Sequence, residues 1–434
     1  LKEMIAHWIK EVSSIGQKQK REFVPLFLFV FPRKDERLYA SVKATCDVEF
    51  GVLSQVLLKR TFDKFFGNEI KNSSAQNVLL KVVAKAGGVA CRIDGDHFKN
   101  MGKMTTSTSP VLVLGIDVSH PSREERMDAL KRAGMTPDKT KNFNKSRGRH
   151  EQLATSRPAA SNLIKELPAD KCPRSVVSVV GNVNLLQTKW GVSSRMQRVG
   201  QEESVNLVEP FKERIQEFTE KTGYFPKHLV VYRDGISDSM FKKTLYEETE
   251  ALERAVESLQ LNPEKDEKVT ITYIVAKKRH HTRFFAANPE EAIDAAGKPG
   301  GNTPPGLLVE TTITSRHSFD FFLQSHYGNI GTASPTHYTV LRDDWKPSQS
   351  FWQTVVFAHC FGNARCTRPL SLPIPLHYAH FAAKRAKILF DHYRDYASPE
   401  EYRKCREELV REEMEKHAIT VNDKLREINS MFFA

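Results

Sequence analysis

Apolar runs of strand and helix length divide the chain into two regions. The first region opens with residues 1–12, where apolar positions recur at the spacing of an amphipathic helix. Beyond it, the pattern predicts strands at 23–31 and 38–44 and helices at 51–65 and 75–86. The alternation of strands and helices predicts a small α/β domain over 1–100, followed by a Met/Thr/Ser-rich linker at 101–110.

The second region, 111–434, begins with the apolar run VLVLGIDVSHP at Val111–Pro121. An unbroken run of this kind is typical of a strand buried on both faces, and this one delivers Asp117 at its end. The run His228–Asp234 follows the same design and also ends in an acid. The pattern also predicts strands at 175–183 and 269–275 and helices at about 203–221, 238–258 and 399–418.

Two further segments stand out within this second region. An insertion at 122–171 is rich in Lys, Arg, Asn and Ser and holds only short apolar pieces, so we expect a mobile, solvated loop. The apolar end, MFFA, is expected to pack into the protein.

Charge and cysteine usage narrow the class of protein. The net charge of +12 indicates either a polyanionic partner or an ordinary basic protein. Six cysteines without a CxxC pair indicate reduced thiols and a cytoplasmic or nuclear location. No apolar stretch is long enough to cross a bilayer, so we expect no membrane association. The first residue is Leu1, which indicates a fragment or a processed piece.

Two buried strands that each present an Asp have the ligand chemistry of a Mg²⁺-dependent nuclease. The same residues also suit ordinary strand ends, where acids act as caps and turn formers. Glu202 at a helix start and His380 in LHYAH have equally ordinary interpretations, as a first-turn acid and a half-buried histidine. The residues alone leave both interpretations open.

Six blocks in a fixed order resemble the PIWI domain of eukaryotic Argonaute proteins. They are GIDVSHP, VVYRDGISDSMF, AKKRHHTRFF, SPTHYTVLRDD, ARCTRPLSLPIPLHYAHFAAKRA and MFFA, and together they span nearly all of 111–434. The region before them is similar to the MID domain of the same family. The resemblance implies an α/β protein with a Rossmann-like MID domain and an RNase H-like PIWI domain.

The resemblance also implies roles for the polar residues. Asp117, Asp234 and His380 match the family's metal ligands, and Glu202 matches its inserted catalytic glutamate. The implied activity is cleavage of a target RNA paired to a small guide RNA. The implied cofactor is a pair of Mg²⁺ ions, with Mn²⁺ as an alternative because it accepts histidine more readily.

A second set of residues lies in the first region. Tyr39 and Lys43 are four apart and share a face of the predicted strand, while Lys81 and Lys85 form an i,i+4 pair. Spacing alone allows either a solvated basic face or an anion site. The resemblance implies that seven residues, here called the phosphate set, bind the guide's 5′ phosphate. They are Tyr39, Lys43, Gln55, Lys81, Lys85, Arg365 and Arg385.

The remaining implied contacts concern the guide backbone and protein partners. By similarity to the family, the run KKRHHTR tracks the guide through Lys277, Lys278, Arg279, His281 and Arg283. Its neighbouring histidines point apart, so we do not predict a metal site there. Partner recruitment through aromatic pockets is only partly matched, with Phe218 and Tyr224 as candidate wall residues.

Three functions remain open at this point. The leading hypothesis is a guide-dependent RNA endonuclease, because the catalytic set and the phosphate set occur together. The alternative is an Argonaute that binds guides and recruits silencing partners with little or no cleavage. A more distant third is an unguided RNase H-like nuclease or transposase-type enzyme, which has no use for the phosphate set.

Overall fold

The computed structural model describes most of the chain. The described residues are 1–19, 23–66, 73–95, 98–132, 134, 174–198, 207–260, 268–292, 301–328, 331–396 and 422–434. Predictions that concern Glu202, the helix at 399–418 and most of the 122–171 insertion fall outside these residues. Within them, no helix is both long enough and apolar enough to span a bilayer.

The first part of the chain builds a two-stranded parallel sheet with helices around it. In order, it contains α1 (Lys2–Gln19), β1 (Leu26–Phe31), α2 (Glu36–Lys43), β2 (Leu53–Leu58), α3 (Lys59–Phe66), α4 (Ser73–Lys85) and the short α5 (Met101–Met104). A wide helical segment, Ala44–Phe50, continues α2 and ends at Gly51, which has a left-handed φ of 62°. Parallel strands joined by helical connections confirm the predicted α/β character of this part.

Two elements of this part differ from the sequence prediction. The predicted strand at 38–44 is helical, since Asp35 caps α2 by accepting a hydrogen bond from the Leu38 amide at 2.9 Å. Leu38, Ala40 and Val42 alternate with polar residues, which imitates the strand period. The predicted helix at 51–65 begins instead with β2, because a short apolar run does not distinguish strand from helix.

The second part is organised around one eight-stranded sheet with the strand order β5-β4-β3-β6-β7-β10-β9-β8. Its strands are β3 (Val111–Ser119), β4 (Arg174–Asn182), β5 (Trp190–Arg198), β6 (His228–Asp234), β7 (Thr270–Lys277), β8 (Leu307–Val309), β9 (Phe319–Gln324) and β10 (Thr336–Asp343). The central strands β3, β6 and β7 run parallel, and every other pairing is antiparallel.

Helices cover both faces of this sheet, as the unbroken apolar runs predict. The helices of this part are α6 (Arg123–Arg132), α7 (Val208–Thr222), α8 (Phe241–Leu259), α9 (Gln349–Ala358), α10 (Ile374–Tyr396) and α11 (Asp423–Glu427). One core packs the sheet against α7 and α8, and the other packs it against α9, α10 and the end of the chain. Met431, Phe433 and Ala434 are buried, which confirms that the MFFA segment packs inward.

The insertion is not the continuous solvated loop that its composition predicts. Its first part forms α6, where Ser122 and Glu125 satisfy each other's backbone amides in a capping box. Ala129 and Leu130 are buried, and Glu125 forms an ion pair with Lys387 of α10 at 2.5 Å. A mostly polar sequence therefore still forms a helix, which a capping box begins and which two buried apolar residues and one ion pair hold against the protein.

Candidate functional site

The central parallel strands bring two acids side by side. Ile116 of β3 is in register with Arg233 of β6, so the next residues, Asp117 and Asp234, are neighbours at the carboxyl end of the sheet. The pKa of Asp234 is raised, first by burial and then by the negative charge of Asp117. The sequence placed both acids at strand ends, and the register makes them one site.

Helix α10 adds the predicted histidine to this pair. His380 Nδ1 lies 3.0 Å from Asp117 Oδ2, and the His380 side chain is 47% exposed. The approach depends on Gly115, because a Cβ atom there would lie 2.3 Å from the backbone of Pro375 at the start of α10. The absence of a side chain on β3 therefore allows the helix to come close enough to present His380 to Asp117.

A buried polar network holds the backbone at Asp234 in place. Arg233 donates to Glu248 of α8 at 2.9 Å, and Tyr273 of β7 donates to the other oxygen of Glu248 at 2.6 Å. Arg233 also donates to the backbone carbonyl of Asp234 at 2.6 Å. Burial opposes the charge of Arg233, yet Glu248 raises its pKa overall. Sequence reasoning missed this network, although the arginine that precedes Asp234 in a buried strand was a signal.

The arrangement partly fits the implied metal. No three His, Cys, Asp or Glu side chains among the described residues form a group that could hold a metal ion. Asp117 and Asp234 nonetheless form a partly buried carboxylate pair whose repulsion a divalent cation would relieve. Mg²⁺ usually binds one or two carboxylates and keeps several waters, so this pair fits the ion. His380 is positioned to add a nitrogen donor, and Glu202 lies outside the described residues.

A second site is a cavity of about 260 Å³ between the two parts of the chain. None of its lining residues has an acidic side chain. They are Tyr39, Lys43, Gln55, Val56, Lys81, Lys85, Arg365, Phe381, Lys384, Arg385, Ile388, Phe433 and Ala434. The structure thus brings together all seven residues of the phosphate set, and it adds Lys384, which sequence reasoning missed.

The first two members of the set share a face of α2 rather than of a strand. Tyr39 and Lys43 are one helical turn apart, and the Lys43 ammonium lies 5.9 Å from the centre of the Tyr39 ring. Lys43 donates to the carbonyl of Ser54 at 2.9 Å and to its hydroxyl at 2.6 Å. Burial lowers the pKa of Lys43 to about 8, although Asp47 acts in the opposite direction.

The lysines of α4 complete a concentration of buried positive charge. Lys85 donates to Gln55 at 2.8 Å, and burial together with the charge of Lys43 holds the pKa of Lys85 well below its usual range. The pKa of Lys81 is also lowered, first by burial and then by Arg365. Buried like charges are costly when no counter-charge lies between them, so an anion would fit this part of the cavity.

The carboxy-terminal part supplies two arginines to the same cavity. Arg385 of α10 pairs with Asp47 at 2.5 Å and donates to the Tyr39 hydroxyl at 3.0 Å. Burial disfavours its charge, but Tyr39 and Asp47 raise its pKa overall. Arg365 stacks on Phe381, with 3.8 Å between its guanidinium carbon and the ring centre. Asp47 thus orients an arginine of the other part, a role that the sequence did not indicate.

The basic run that begins at the end of β7 contains both paired and exposed residues. Lys277 pairs with Asp238 at 2.7 Å, and Lys278 donates to the carbonyl of Ser334 at 2.8 Å. Burial lowers the pKa of Lys278 to about 8. The other predicted guide-backbone residues, Arg279, His281 and Arg283, are exposed.

The two candidate wall residues of a partner pocket lie in different environments. Phe218 is completely buried in the core beneath α7, whereas Tyr224 is exposed in the turn that follows this helix. A fully buried ring cannot line a surface pocket, so the assignment of Phe218 is wrong.

A mixed sheet with paired acids at its centre and a helix laid across it defines an RNase H-like domain of the Piwi class. Residues 26–390 match the Piwi domain family. The chain therefore belongs to the Argonaute–Piwi family, as a MID–PIWI half.

Individual relatives agree with this assignment. Piwi-like protein ergo-1 of Caenorhabditis elegans is 33% identical over 91% of this chain and 32% of its own length. Protein argonaute 7 of Arabidopsis thaliana is 28% identical over 89% of this chain and 33% of its own length. The chain thus spans about a third of the length of these curated relatives.

Solved structures match the fold over nearly the whole chain. The C-terminal lobe of a budding yeast Argonaute has a TM-score of 0.71 and 23% identity, and covers 98% of this chain and 72% of that one. The Kluyveromyces polysporus Argonaute with a guide RNA has a TM-score of 0.70 and 23% identity over 98% of this chain and 43% of its own.

Proposed function

We propose that this chain anchors the 5′ phosphate of a small guide RNA and cleaves a complementary target RNA. One observation carries the proposal: helix α10 serves both sites. His380 lies 3.0 Å from Asp117 at the paired acids, and Arg385 lies 3.0 Å from the Tyr39 hydroxyl at the cationic cavity. Because both residues lie on one continuous helix, the distance between the candidate binding site for an RNA terminus and the candidate hydrolytic centre is fixed.

The anchoring half of the proposal rests on the charges in the cavity. A terminal phosphate brings about two negative charges at neutral pH and three acceptor oxygens. Lys43, Lys81 and Lys85 present ammonium donors, while Arg365 and Arg385 present planar donor pairs. Tyr39 lies at the same wall, where its ring can stack on the first base.

The cleaving half rests on the carboxylate pair. Asp117 and Asp234 would hold Mg²⁺, with His380 as an additional donor. When bound, paired Mg²⁺ ions activate a water for attack on a phosphodiester and stabilise the departing 3′ oxygen. The contribution of this chain is positional: the β3–β6 register aligns the acids, and the Arg233–Glu248 pair fixes the backbone at Asp234.

Anchoring is tested by comparing 5′-phosphorylated and 5′-hydroxyl RNAs of one sequence. We expect the phosphorylated RNA to bind at least tenfold more tightly, since each charge-assisted hydrogen bond contributes about 1.5–3 kcal/mol. Lys43→Ala with Lys81→Ala should abolish the difference, whereas Lys221→Ala on the exposed face of α7 should preserve it. Equal affinities for the two wild-type complexes would reject anchoring and favour the unguided nuclease, and an unchanged preference in the double variant would show that Lys43 and Lys81 do not provide it.

Cleavage is tested with the full-length protein, a 5′-phosphorylated guide, a complementary target and Mg²⁺. We expect a cut opposite the guide's centre, abolished in Asp117→Ala and Asp234→Ala and retained in Asp63→Ala, a matched exposed acid on α3. Guide binding should stay normal in all three variants. An intact target in the wild-type reaction, with the guide demonstrably loaded, would reject cleavage.

A second candidate function is guide binding with recruitment of silencing partners and little cleavage. It is favoured by the cationic cavity, which brings lysines and arginines together without needing the paired acids. Under this alternative, small RNAs copurify with the protein while target half-life is the same in wild type and Asp117→Ala cells. A longer half-life in the variant would reject it.

A further inference from the structure

Two thiols from distant parts of the chain meet at one residue beside the cationic cavity. Cys91 lies in the loop after α4 and donates to the Asn363 carbonyl at 3.3 Å. The side-chain amide of Asn363 in turn donates to Cys366 at 3.4 Å, in the loop between α9 and α10. Gly362 packs on the same segment, since a Cβ there would lie 4.0 Å from the Cβ of Cys91. Both thiols are free and half-buried.

The surroundings give the two thiols different reactivities. Cys366 follows Arg365 directly, and a negative charge on its sulfur would raise the pKa of both Lys81 and Arg365. The Cys366 sulfur also donates to the backbone carbonyl of Arg368 at 3.5 Å, so it has both a donor and an acceptor beside it. Burial and the proximity of Cys366 raise the pKa of Cys91, so Cys91 remains a thiol at neutral pH.

We propose that Cys91 and Cys366 form a site of reversible oxidation that links the two parts of the chain. The oxidant is hydrogen peroxide. Cys366 loses its proton and attacks one peroxide oxygen, the O–O bond breaks, and the departing hydroxide takes up a proton to become water. Cys91 then attacks the sulfenic sulfur and loses its proton, and a second hydroxide leaves as water. Two thiols and one peroxide thus give one disulfide and two waters.

The consequence for RNA rests on the proposed anchoring function. Asn363 bridges the two sulfurs, so a disulfide requires the loss of both of its contacts and a shift of the Cys366 loop. Arg365 lies on this loop and lines the cavity. Its displacement removes one charge-assisted contact to the phosphate. The oxidised protein therefore binds a 5′-phosphorylated guide about tenfold more weakly than the reduced protein.

The modification itself is tested without RNA. The chain is first changed at Cys172→Ser and Cys405→Ser, two positions outside the described residues, so that they cannot compete. It is then treated with hydrogen peroxide, alkylated and mapped by mass spectrometry without reduction. We expect a Cys91–Cys366 peptide pair, whereas the fully buried Cys46 and Cys360 remain free thiols. Recovery of Cys91 and Cys366 as free thiols, or equal amounts of other pairs, would overturn the proposal.

The order of attack has its own test. A dimedone probe should label Cys366 in the Cys91→Ser variant and leave Cys91 unlabelled in the Cys366→Ser variant. The reverse labelling would overturn the assignment of Cys366 as the attacking thiol.

The regulatory effect is measured as guide affinity before and after oxidation. We expect the tenfold loss to be reversed by dithiothreitol and to be absent in Cys91→Ser/Cys366→Ser. An unchanged affinity in a protein whose disulfide has been mapped would overturn the regulatory effect. A reduced protein that does not distinguish phosphorylated from hydroxyl RNA would instead reject anchoring, and the disulfide map would still decide the modification.

Discussion

Gly115 shows how a single missing side chain positions the candidate catalytic centre. It lies two residues before Asp117 on β3, where α10 crosses the sheet. A Cβ atom there would meet the carbonyl carbon and oxygen of Pro375 at 2.3 Å and the Leu376 amide nitrogen at 2.9 Å. Backbone atoms cannot rotate away as a flexible side chain can, so any larger residue has to displace the helix.

We therefore expect Gly115→Ala to destabilise the protein and to move His380 away from Asp117. Overpacking of this kind typically costs about 1–3 kcal/mol, which urea unfolding would measure. The displaced α10 carries His380 away from Asp117, so cleavage should fall more than the loss of folded protein explains. Gly102→Ala is the matched control, since a Cβ there meets nothing within 4 Å. Equal stability and activity for both variants would contradict the role of Gly115.

The same apolar pattern can fold as a strand or as a helix. The central strands were predictable because their apolar runs are unbroken and are bounded by acids or glycines. Alternation at Leu38, Ala40 and Val42 was misleading, because the Asp35 cap and packing of α2 decide the conformation there. The seven residues of the phosphate set nonetheless line one cavity, since Tyr39 and Lys43 share a face under either geometry.

The docking of α6 on α10 is a second feature that composition could not reveal. Lys387 contacts Glu125 at 2.5 Å and Asp391 at 2.6 Å, and its side chain is 16% exposed. Burial raises the pKa of Glu125, but Lys387 and Ser122 lower it overall. These contacts depend on tertiary structure, and nothing in the local charge pattern of residues 122–132 specifies them.

We expect Lys387→Met to release α6 while leaving α10 folded. Loss of a partly exposed ion pair costs about 1 kcal/mol or less, so the unfolding midpoint should change little. Amide hydrogen exchange in residues 123–132 should accelerate, since the helix loses its tether to α10. Lys131→Met removes a charge from α6 itself and should leave exchange near the wild-type rate. Unchanged exchange in Lys387→Met would show that Ala129 and Leu130 are sufficient for docking.

A buried histidine makes the stability of the protein depend on pH. Tyr232 of β6 donates to His359 Nδ1 at 2.8 Å, and His359 Nε2 donates to Gln187 at 2.8 Å. This network joins the sheet, the end of α9 and the loop between β4 and β5. Burial lowers the pKa of His359 to about 3, so the folded protein keeps it neutral.

The sign of this effect follows from proton binding. Between pH 6.5 and about 3, the unfolded chain binds a proton at His359 that the folded chain does not bind. The free energy of unfolding should therefore fall with decreasing pH, by about 2 kcal/mol from pH 7 to pH 5 for this group alone. His359→Gln should be less stable at pH 7 but show a shallower decline in urea titrations. Parallel declines in both proteins would contradict this assignment.

The cationic cavity, which needs both parts of the chain, should bind phosphate more weakly at high pH. Lys43 has a pKa of about 8 in the free protein, and a bound phosphate dianion favours its protonated form. A terminal phosphate is fully ionised above pH 7, so Lys43 controls the change. Affinity for a 5′-phosphorylated RNA should fall about tenfold from pH 7 to pH 9.

The matched variant for this effect is Lys43→Arg, which keeps its charge at both pH values. We expect its affinity to be lower than that of the wild type at pH 7 but to change less between pH 7 and pH 9. A 5′-hydroxyl RNA controls for general effects of pH on RNA binding, because it brings no terminal phosphate to the cavity. An identical decline in the wild type and in Lys43→Arg would mean that another group, such as Lys85 beside Gln55, controls the titration.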